Sequence, residues 1–553
     1  MLSVEDPAFE GIAIRSFQVS REKVFLISCF VIAFLIRFLL IPGNSVINGD
    51  GAYYTILGER FVSGDLANGI SAYWSPLYSV LTGISSLLFS DREFAGRFVS
   101  LVAGAFLIVP GFALIDTFFG RPAAYIGTVL IVFHPFLIQS SSWVMTESLY
   151  TLVFTTLVLT CWKALASDSS TKFLITGLLL GSAFLIKPEA VAFVILIWIF
   201  TLVLGFWRRK TGLYQALINC LVFLSGFLLL FAPYFVFLHY KTGQWTLSQK
   251  IAVNLPAADY DGNFLGLTSD GRKTMKDRVW GDDYETERPV EPVRSLEQRR
   301  FSIGRLTSDV MILGSKAVTL VKKQLRDYFP ALLPYPFMLL AIIGLFFRPW
   351  TKIRAAKELY IFFIVLSTLI GYGASAVEQR YLFPIIPILM GWTAHGTVEF
   401  SEWLVRSTEN LIGRTVRRRS ASFAILILLL FSFTPLYAAV FRMQTMNDIP
   451  FEERNAGLWI RGQGGSMPLV MSSNITPAFY AHARHAYVPD GDLRTIVEYA
   501  KLRGADYLVF SERRMKDAPL FKKDEDDALE LSQILYQDNE HPGHRIVVYQ
   551  VLP

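Results

Sequence analysis

Four side chains of this sequence combine the right chemistry with suggestive positions. They are two carboxylates, Asp50 in NGDGAYY (Asn48 to Tyr54) and Glu147 in WVMTE, and two cations, Lys187 in FLIKPEA and Arg380 in EQRYLFPIIP. Each stands near the end of an apolar run. A carboxylate at a membrane edge can take a proton from an acceptor hydroxyl, and the glycines beside Asp50 would leave room for a substrate. The same residue types also make turns, so Asp50 alone supports either reading. Glu147 reads as the acid of a helix N-terminus, with Ser or Thr capping nearby. It reads equally as a second acid facing Asp50, positioning an acceptor or sharing a divalent metal, although a metal wants more ligands than these two. Lys187, beside Glu189, can snorkel to the interface with Pro188 shaping the turn, or bind a lipid phosphate. For Arg380, followed by Tyr381, bidentate phosphate contact is the preferred reading. Arg37 reads as a snorkelling residue. His134 reads as a helix-packing residue, and the Asn474-Ile475-Thr476 sequon as a triplet common by chance.

The elements that must hold these groups lie in a bilayer. The chain has 553 residues, 53% of them hydrophobic, and a mean hydropathy of +0.41. Several apolar runs reach the roughly 20 residues needed to cross a membrane, so the chain reads as polytopic. Aromatic residues at 14% suit interfacial belts. The net charge of +6 fits loop bias in a membrane protein, and no basic patch interleaved with aromatics points to nucleic acid. Cys29, Cys161 and Cys220 all fall in apolar runs and read as small buried hydrophobes. The first run is too long for a signal-peptide core and reads as a retained span.

Positive charge sets the orientation. Arg15, Arg21 and Lys23 before a first span at about 24–41 place the N-terminus in the cytoplasm and Asp50 outside. If Pro76–Phe89 lies flat in the interface, further spans fall at approximately 97–118, 123–140, 148–166, 172–187, 190–207, 214–238, 331–347, 359–376, 382–398 and 422–440. Arg121, Lys163, Lys172, residues 207–210, Arg348, Lys352, Arg354, Lys357 and Arg417 to Arg419 then all face the cytoplasm; a crossing Pro76–Phe89 would put them outside. The expectation is about eleven spans, with outer loops at 43–96 and 239–330. Residues 297–328 read as an amphipathic surface helix. The chain then divides into a transmembrane module over 1–440 and a small extracytoplasmic α/β domain over 441–553, where strand-like and helix-like patterns alternate.

Taken in order, NGDGAYY, YWSPLYSVLTGI, EFAGRFVSLVAGAF, FFGRPAA, VMTESLY, FLIKPEA and QRYLFPIIP resemble one group of enzymes. They look like the bacterial branch of the superfamily of dolichyl-phosphate-mannose–protein mannosyltransferases and lipid A aminoarabinose transferases. These are GT-C fold glycosyltransferases, and the resemblance covers about residues 24–400. It implies an all-α polytopic fold and an inverting transfer of a sugar from a polyprenyl phosphate to a lipid, polysaccharide or protein acceptor. Transfer would take place outside the inner (cytoplasmic) membrane. The resemblance matches Asp50 to the first-loop catalytic acid, Glu147 to the second-loop acid and Arg380 to the phosphate-binding region. Tyr53, Tyr54 and Glu59 would line the donor pocket. Relatives often carry an acidic pair where this chain has Asp50-Gly51, and a basic residue where it has Trp74-Ser75. That leaves Lys187 or Arg60 to make the corresponding phosphate contact. No cofactor is required on this reading, and a divalent metal at Asp50 and Glu147 stays open. The alternative is a transporter or flippase for a lipid-linked saccharide, against which no inverted repeat stands out.

Overall fold

The apolar run after the basic N-terminal tail folds as α1 (Arg21–Leu39), and the NGDGAYY stretch opens α2 (Gly49–Val62). The computed structural model of the chain describes residues 21–41, 46–207, 212–243, 245–248, 318–375, 378–412, 418–442, 449–464, 467–489, 493–513, 532–538 and 544–551. Asp50 therefore sits in the first turn of a helix and not on a loop. Next comes α3 (Pro76–Ser86), whose 11 residues reach only about 16 Å. That is too short for a hydrocarbon core of about 30 Å, in keeping with the expectation that this piece does not cross. It packs closely on α2, since a Cβ on Gly83 would lie 2.1 Å from the Gly58 carbonyl oxygen.

The module continues with α4 (Arg92–Phe106), α5 (Ile108–Phe119), α6 (Arg121–Val132), α7 (Pro135–Ser141) and α8 (Glu147–Ser167). Then follow α9 (Ser170–Ile186), α10 (Phe193–Trp207), α11 (Gly212–Thr242), α12 (Tyr335–Phe346), α13 (Lys352–Ser375), α14 (Ile386–Ile412), α15 (Arg418–Ser432) and α16 (Thr434–Arg442). The eleven expected spans are not all simple crossings. Among the described residues four helices are long and apolar enough to cross: Arg92–Phe119, Glu147–Ser167, Gly212–Thr242 and Ser420–Ala438. Counting each of two bent pairs as one span raises the number to six.

Proline is the physical reason for both bends. α6 and α7 meet at 53° where His134, ahead of Pro135, is forced into extended backbone. Val318–Leu332 and Tyr335–Phe346 meet at 99° across Pro334. α9, with 17 residues, and Pro188–Val203 are apolar but short. Of the amphipathic stretch expected at 297–328, the part up to 317 lies outside the described residues, and the rest begins a helix at Val318.

Arg37 does not snorkel. It is fully buried and donates to Ser141 Oγ at 3.2 Å and to the Ala33 carbonyl at 3.1 Å, tying α1 to α7. His134 is buried too, its Nε2 3.1 Å from the Leu332 carbonyl oxygen, as expected of a packing residue.

The C-terminal region forms the anticipated α/β domain. Its five strands are β1 (Leu469–Ser472), β2 (Arg484–Tyr487), β3 (Tyr507–Ser511), β4 (Ser532–Asp538) and β5 (Ile546–Val551), in the order β2-β1-β3-β5-β4. β1 runs parallel to β2 and β3, and β5 is antiparallel to β3 and β4. The period-2 alternation of strands sorts the core onto two faces. Val470, Val509 and Val548 meet α17 (Phe451–Gly462) and α18 (Thr476–Ala481). Met471, Leu508 and Val547 meet α19 (Leu493–Arg503) on the other side.

Candidate active site

The two acids occupy equivalent places in their helices. Asp50 lies in the first turn of α2, where the Asn48 side chain caps by accepting from Gly51 N at 2.6 Å. Glu147 is the first residue of α8. Both carboxylates thus sit at helix N-termini, where the helix dipole favours negative charge. Lys187 stands at the opposite pole, in extended backbone at the C-terminus of α9 ahead of Pro188, where the dipole favours a cation. Arg380 lies in the tight turn Gln379–Ile385 that leads into α14. Glu147 therefore stands at a helix N-terminus as expected, although Thr146 at the cap position makes no side-chain cap bond.

These ends converge on a pocket lined by Asp50, Tyr54, Ser75, Met145, Thr146, Glu147, Ile186, Lys187, Pro188, Glu189, Arg380 and Tyr381. Lys187 Nζ lies 3.0 Å from Glu147 Oε1. Arg380 reaches Asp50 Oδ2 at 3.3 Å, Glu147 Oε1 at 3.9 Å and Glu378 Oε2 at 2.5 Å. Glu147 and Lys187 are almost sealed off, with side chains 1% and 8% exposed. Asp50 and Arg380, at 32% and 22%, face the opening. The Lys187 ammonium also sits 4.8 Å over the Tyr381 ring, a desolvated cation–π contact. Burial opposes the charge on Arg380, but Glu147 and Asp50 outweigh it and hold the guanidinium firmly protonated. Burial, then the nearby Asp50 charge, pushes the Tyr54 hydroxyl well above the usual tyrosine range. Tyr54 thus stays a neutral phenol beside the Asp50 carboxylate.

Of the residues expected here, Asp50, Glu147, Tyr54, Lys187, Arg380 and Tyr381 come together. Tyr53, Glu59 and Arg60 do not line the pocket. Helical phase gives the reason: Glu59 is nine residues from Asp50, about 180° round α2 and about 13 Å along it. It pairs with Arg92 instead. Arg60 lies one residue further on, and the Tyr53 hydroxyl is 2.8 Å from that of Tyr487. Ser75, Thr146 and Glu378 were not foreseen. Only Glu378, two residues before Arg380, carried a signal, as an acid close to a cation.

The glycines beside Asp50 serve packing and not substrate. A Cβ on Gly51 would stand 2.7 Å from the Val144 carbonyl oxygen, so α2 is pressed against the turn that leads into Glu147. Gly51→Ala is therefore expected to destabilise the protein by about 1–3 kcal/mol, read as a lowered melting temperature in detergent. An unchanged melting temperature would count against the close approach. The donor set does not suit a metal. Asp50 and Glu147 are already paired with Arg380 and Lys187. No group of three or more His, Cys, Asp or Glu among the described residues is placed to hold one.

Comparison with known proteins agrees with this architecture. Residues 74–236 match the family described as dolichyl-phosphate-mannose-protein mannosyltransferase. The chain is similar in structure to ArnT from Cupriavidus metallidurans in the apo state, with a TM-score of 0.54, 14% identity and coverage of 96% of this chain and 98% of that one. ArnT bound to undecaprenyl phosphate gives a TM-score of 0.50 at 13% identity, covering 95% and 98%. The Archaeoglobus fulgidus oligosaccharyltransferase AglB, in complex with an inhibitory peptide and a dolichol-phosphate, gives 0.52 at 12% identity, covering 95% and 74%. No curated protein sequence matches the chain.

Proposed function

We propose that this membrane protein, which has the GT-C fold and carries the mannosyltransferase family match over 74–236, is an inverting glycosyltransferase. It moves a sugar from a polyprenyl phosphate to an acceptor hydroxyl on the non-cytoplasmic face. One observation carries the reading: a half-exposed carboxylate, Asp50, shares a pocket with two cations, Arg380 and Lys187, on a buried second acid. In the reaction Asp50 takes the proton of the acceptor hydroxyl. The oxygen forms a bond to the anomeric carbon as the bond from that carbon to the phosphate oxygen breaks. The electron pair leaves on the lipid phosphate, where Arg380 and Lys187 stabilise the developing charge. The undecaprenyl phosphate bound to ArnT and the dolichol-phosphate bound to AglB support a polyprenyl-phosphate donor for this chain.

The orientation follows from where the charges gather. Arg121 pairs with Glu22 near the start of α1, and Lys357 Nζ donates to the Thr117 carbonyl at 2.5 Å, close to Arg121 in the chain. Asp50 follows the end of α1, at the other pole. Positive-inside bias supports a pocket on the outer face and an N-terminus in the cytoplasm.

Reconstitution of the purified protein with labelled polyprenyl-phosphate sugars and extracted envelope acceptors tests the reading. Label is expected on an acceptor, and its absence across mannosyl, aminoarabinosyl and hexosyl donors would refute it. A pH signature accompanies it. Burial lowers the Lys187 pKa below the ordinary lysine value, with Glu147 pulling the other way. As pH rises, its positive charge is lost earlier than that of an exposed lysine. Affinity for polyprenyl phosphate should therefore fall on the alkaline side, and Lys187→Arg, which stays charged, should move that limb to higher pH. A limb unmoved by the substitution would place the titration elsewhere.

A further inference from the structure

The helix that carries Asp50 is held from outside the pocket by the C-terminal domain. A Cβ on Gly49 would lie 3.0 Å from Asn474 Oδ1, so the segment after β1 rests against the neighbour of Asp50. Asn474 is fixed in turn, donating to Glu453 at 3.0 Å and Thr476 at 2.9 Å. Just upstream of α2, Ile47 N donates to the Tyr480 hydroxyl at 2.8 Å, and that hydroxyl donates to Glu93 at 2.6 Å. Glu93 pairs with Arg97, which donates to the Ile41 carbonyl at 2.7 Å. One turn into α2, the Tyr53 and Tyr487 hydroxyls meet at 2.8 Å with both residues buried. At the far end Glu59 holds Arg92, whose guanidinium lies 4.9 Å over the Phe479 ring. Ile475, Phe479 and Tyr480 belong to the hydrophobic core of the membrane module, while the sheet and its other helices have cores of their own.

We infer that the C-terminal domain is a positioning element of the pocket: Asn474, Tyr480 and Tyr487 fix the first turns of α2 and thereby set where the Asp50 carboxylate stands. The inference rests on the reading of Asp50 as the base. A buried hydroxyl that loses its partner keeps its desolvation cost, and a misplacement of about 1 Å can cost about 100-fold in rate. None of the three is among the residues that line the pocket, so they reach the reaction through α2 and the elements packed on it. The domain is then no separate appendage to a self-sufficient catalytic module.

The test uses the full chain in nanodiscs, with Tyr480→Phe and Tyr487→Phe combined to delete two hydroxyls and keep both rings. Three quantities are read: amide hydrogen exchange in residues 49–58, affinity for polyprenyl phosphate, and the initial rate of sugar transfer. Exchange in 49–58 is expected to rise about tenfold, and transfer to fall about tenfold or more. Lipid affinity should stay within about twofold and protection in α8 and α14 should be unchanged. Unchanged exchange in 49–58, or faster exchange with undiminished transfer, would overturn the inference. Should the double variant lose protection throughout, Tyr487→Phe alone decides by the same criteria. If the wild type transfers no sugar, the glycosyltransferase reading fails, and the exchange measurement still decides whether the domain fixes α2.

Discussion

Asp50→Asn is expected to lower sugar transfer by about 10²–10⁴-fold, the usual contribution of a positioned general base, and to leave the fold intact. The carboxylate is 32% exposed and faces the pocket opening, so an amide of the same shape disturbs little packing. The effect on lipid binding carries more information. Asp50 competes with any phosphate for Arg380, at 3.3 Å. Removing its charge should hold or raise the affinity for polyprenyl phosphate while abolishing turnover. Transfer assays paired with lipid-binding titrations would show this split. A variant that turns over like wild type, or one that loses lipid binding in step with activity, would remove Asp50 from the role of base.

The second large effect falls on the buried pair. Glu147→Ala leaves the Lys187 ammonium, 8% exposed, without its closest carboxylate. Breaking a buried pair on one side costs about 3–5 kcal/mol, so the variant should melt well below the wild type in detergent. Replacing both partners with apolar residues, Glu147→Leu with Lys187→Met, removes the desolvated charges together and should recover most of that stability. It should not recover transfer, because the phosphate then keeps only Arg380. A double variant that regains activity along with stability would assign the pair to scaffolding alone. A single variant that melts like wild type would mean that Lys187 has another counter-charge.

What the sequence disclosed, and what it did not, has a physical basis. Asp50, Glu147, Lys187 and Arg380 were visible because each breaks an apolar run near its end, and charge bias in the loops put them on one side. The domain sheet was visible because strand-like runs such as PLVMSS and HRIVVYQV alternate along the chain with helix-like stretches. Glu59 and Arg60 were misplaced because nearness in sequence to Asp50 says nothing of phase or rise along a helix not yet recognised, and Tyr53 because its hydroxyl turns to Tyr487. Arg37 looked like a snorkelling residue because only the packed bundle brings Ser141 of α7 to its guanidinium. The bends at Pro135 and Pro334 turned expected straight spans into broken ones. The contacts of Tyr480 with Ile47, just before α2, and of Tyr487 with Tyr53 in α2 join residues more than 400 positions apart, and no local pattern announces them.

The most direct test of the central claim follows both halves of the donor at once. Wild-type protein in proteoliposomes would receive a polyprenyl-phosphate sugar labelled separately in its sugar and its lipid, together with envelope acceptors. The labels are expected to part: sugar label moves to an acceptor while lipid label remains as polyprenyl phosphate, and Asp50→Asn keeps the two together. If both labels instead cross the bilayer as one molecule, equally well with wild type and with Asp50→Asn, the protein carries lipid-linked saccharides and does not transfer their sugar.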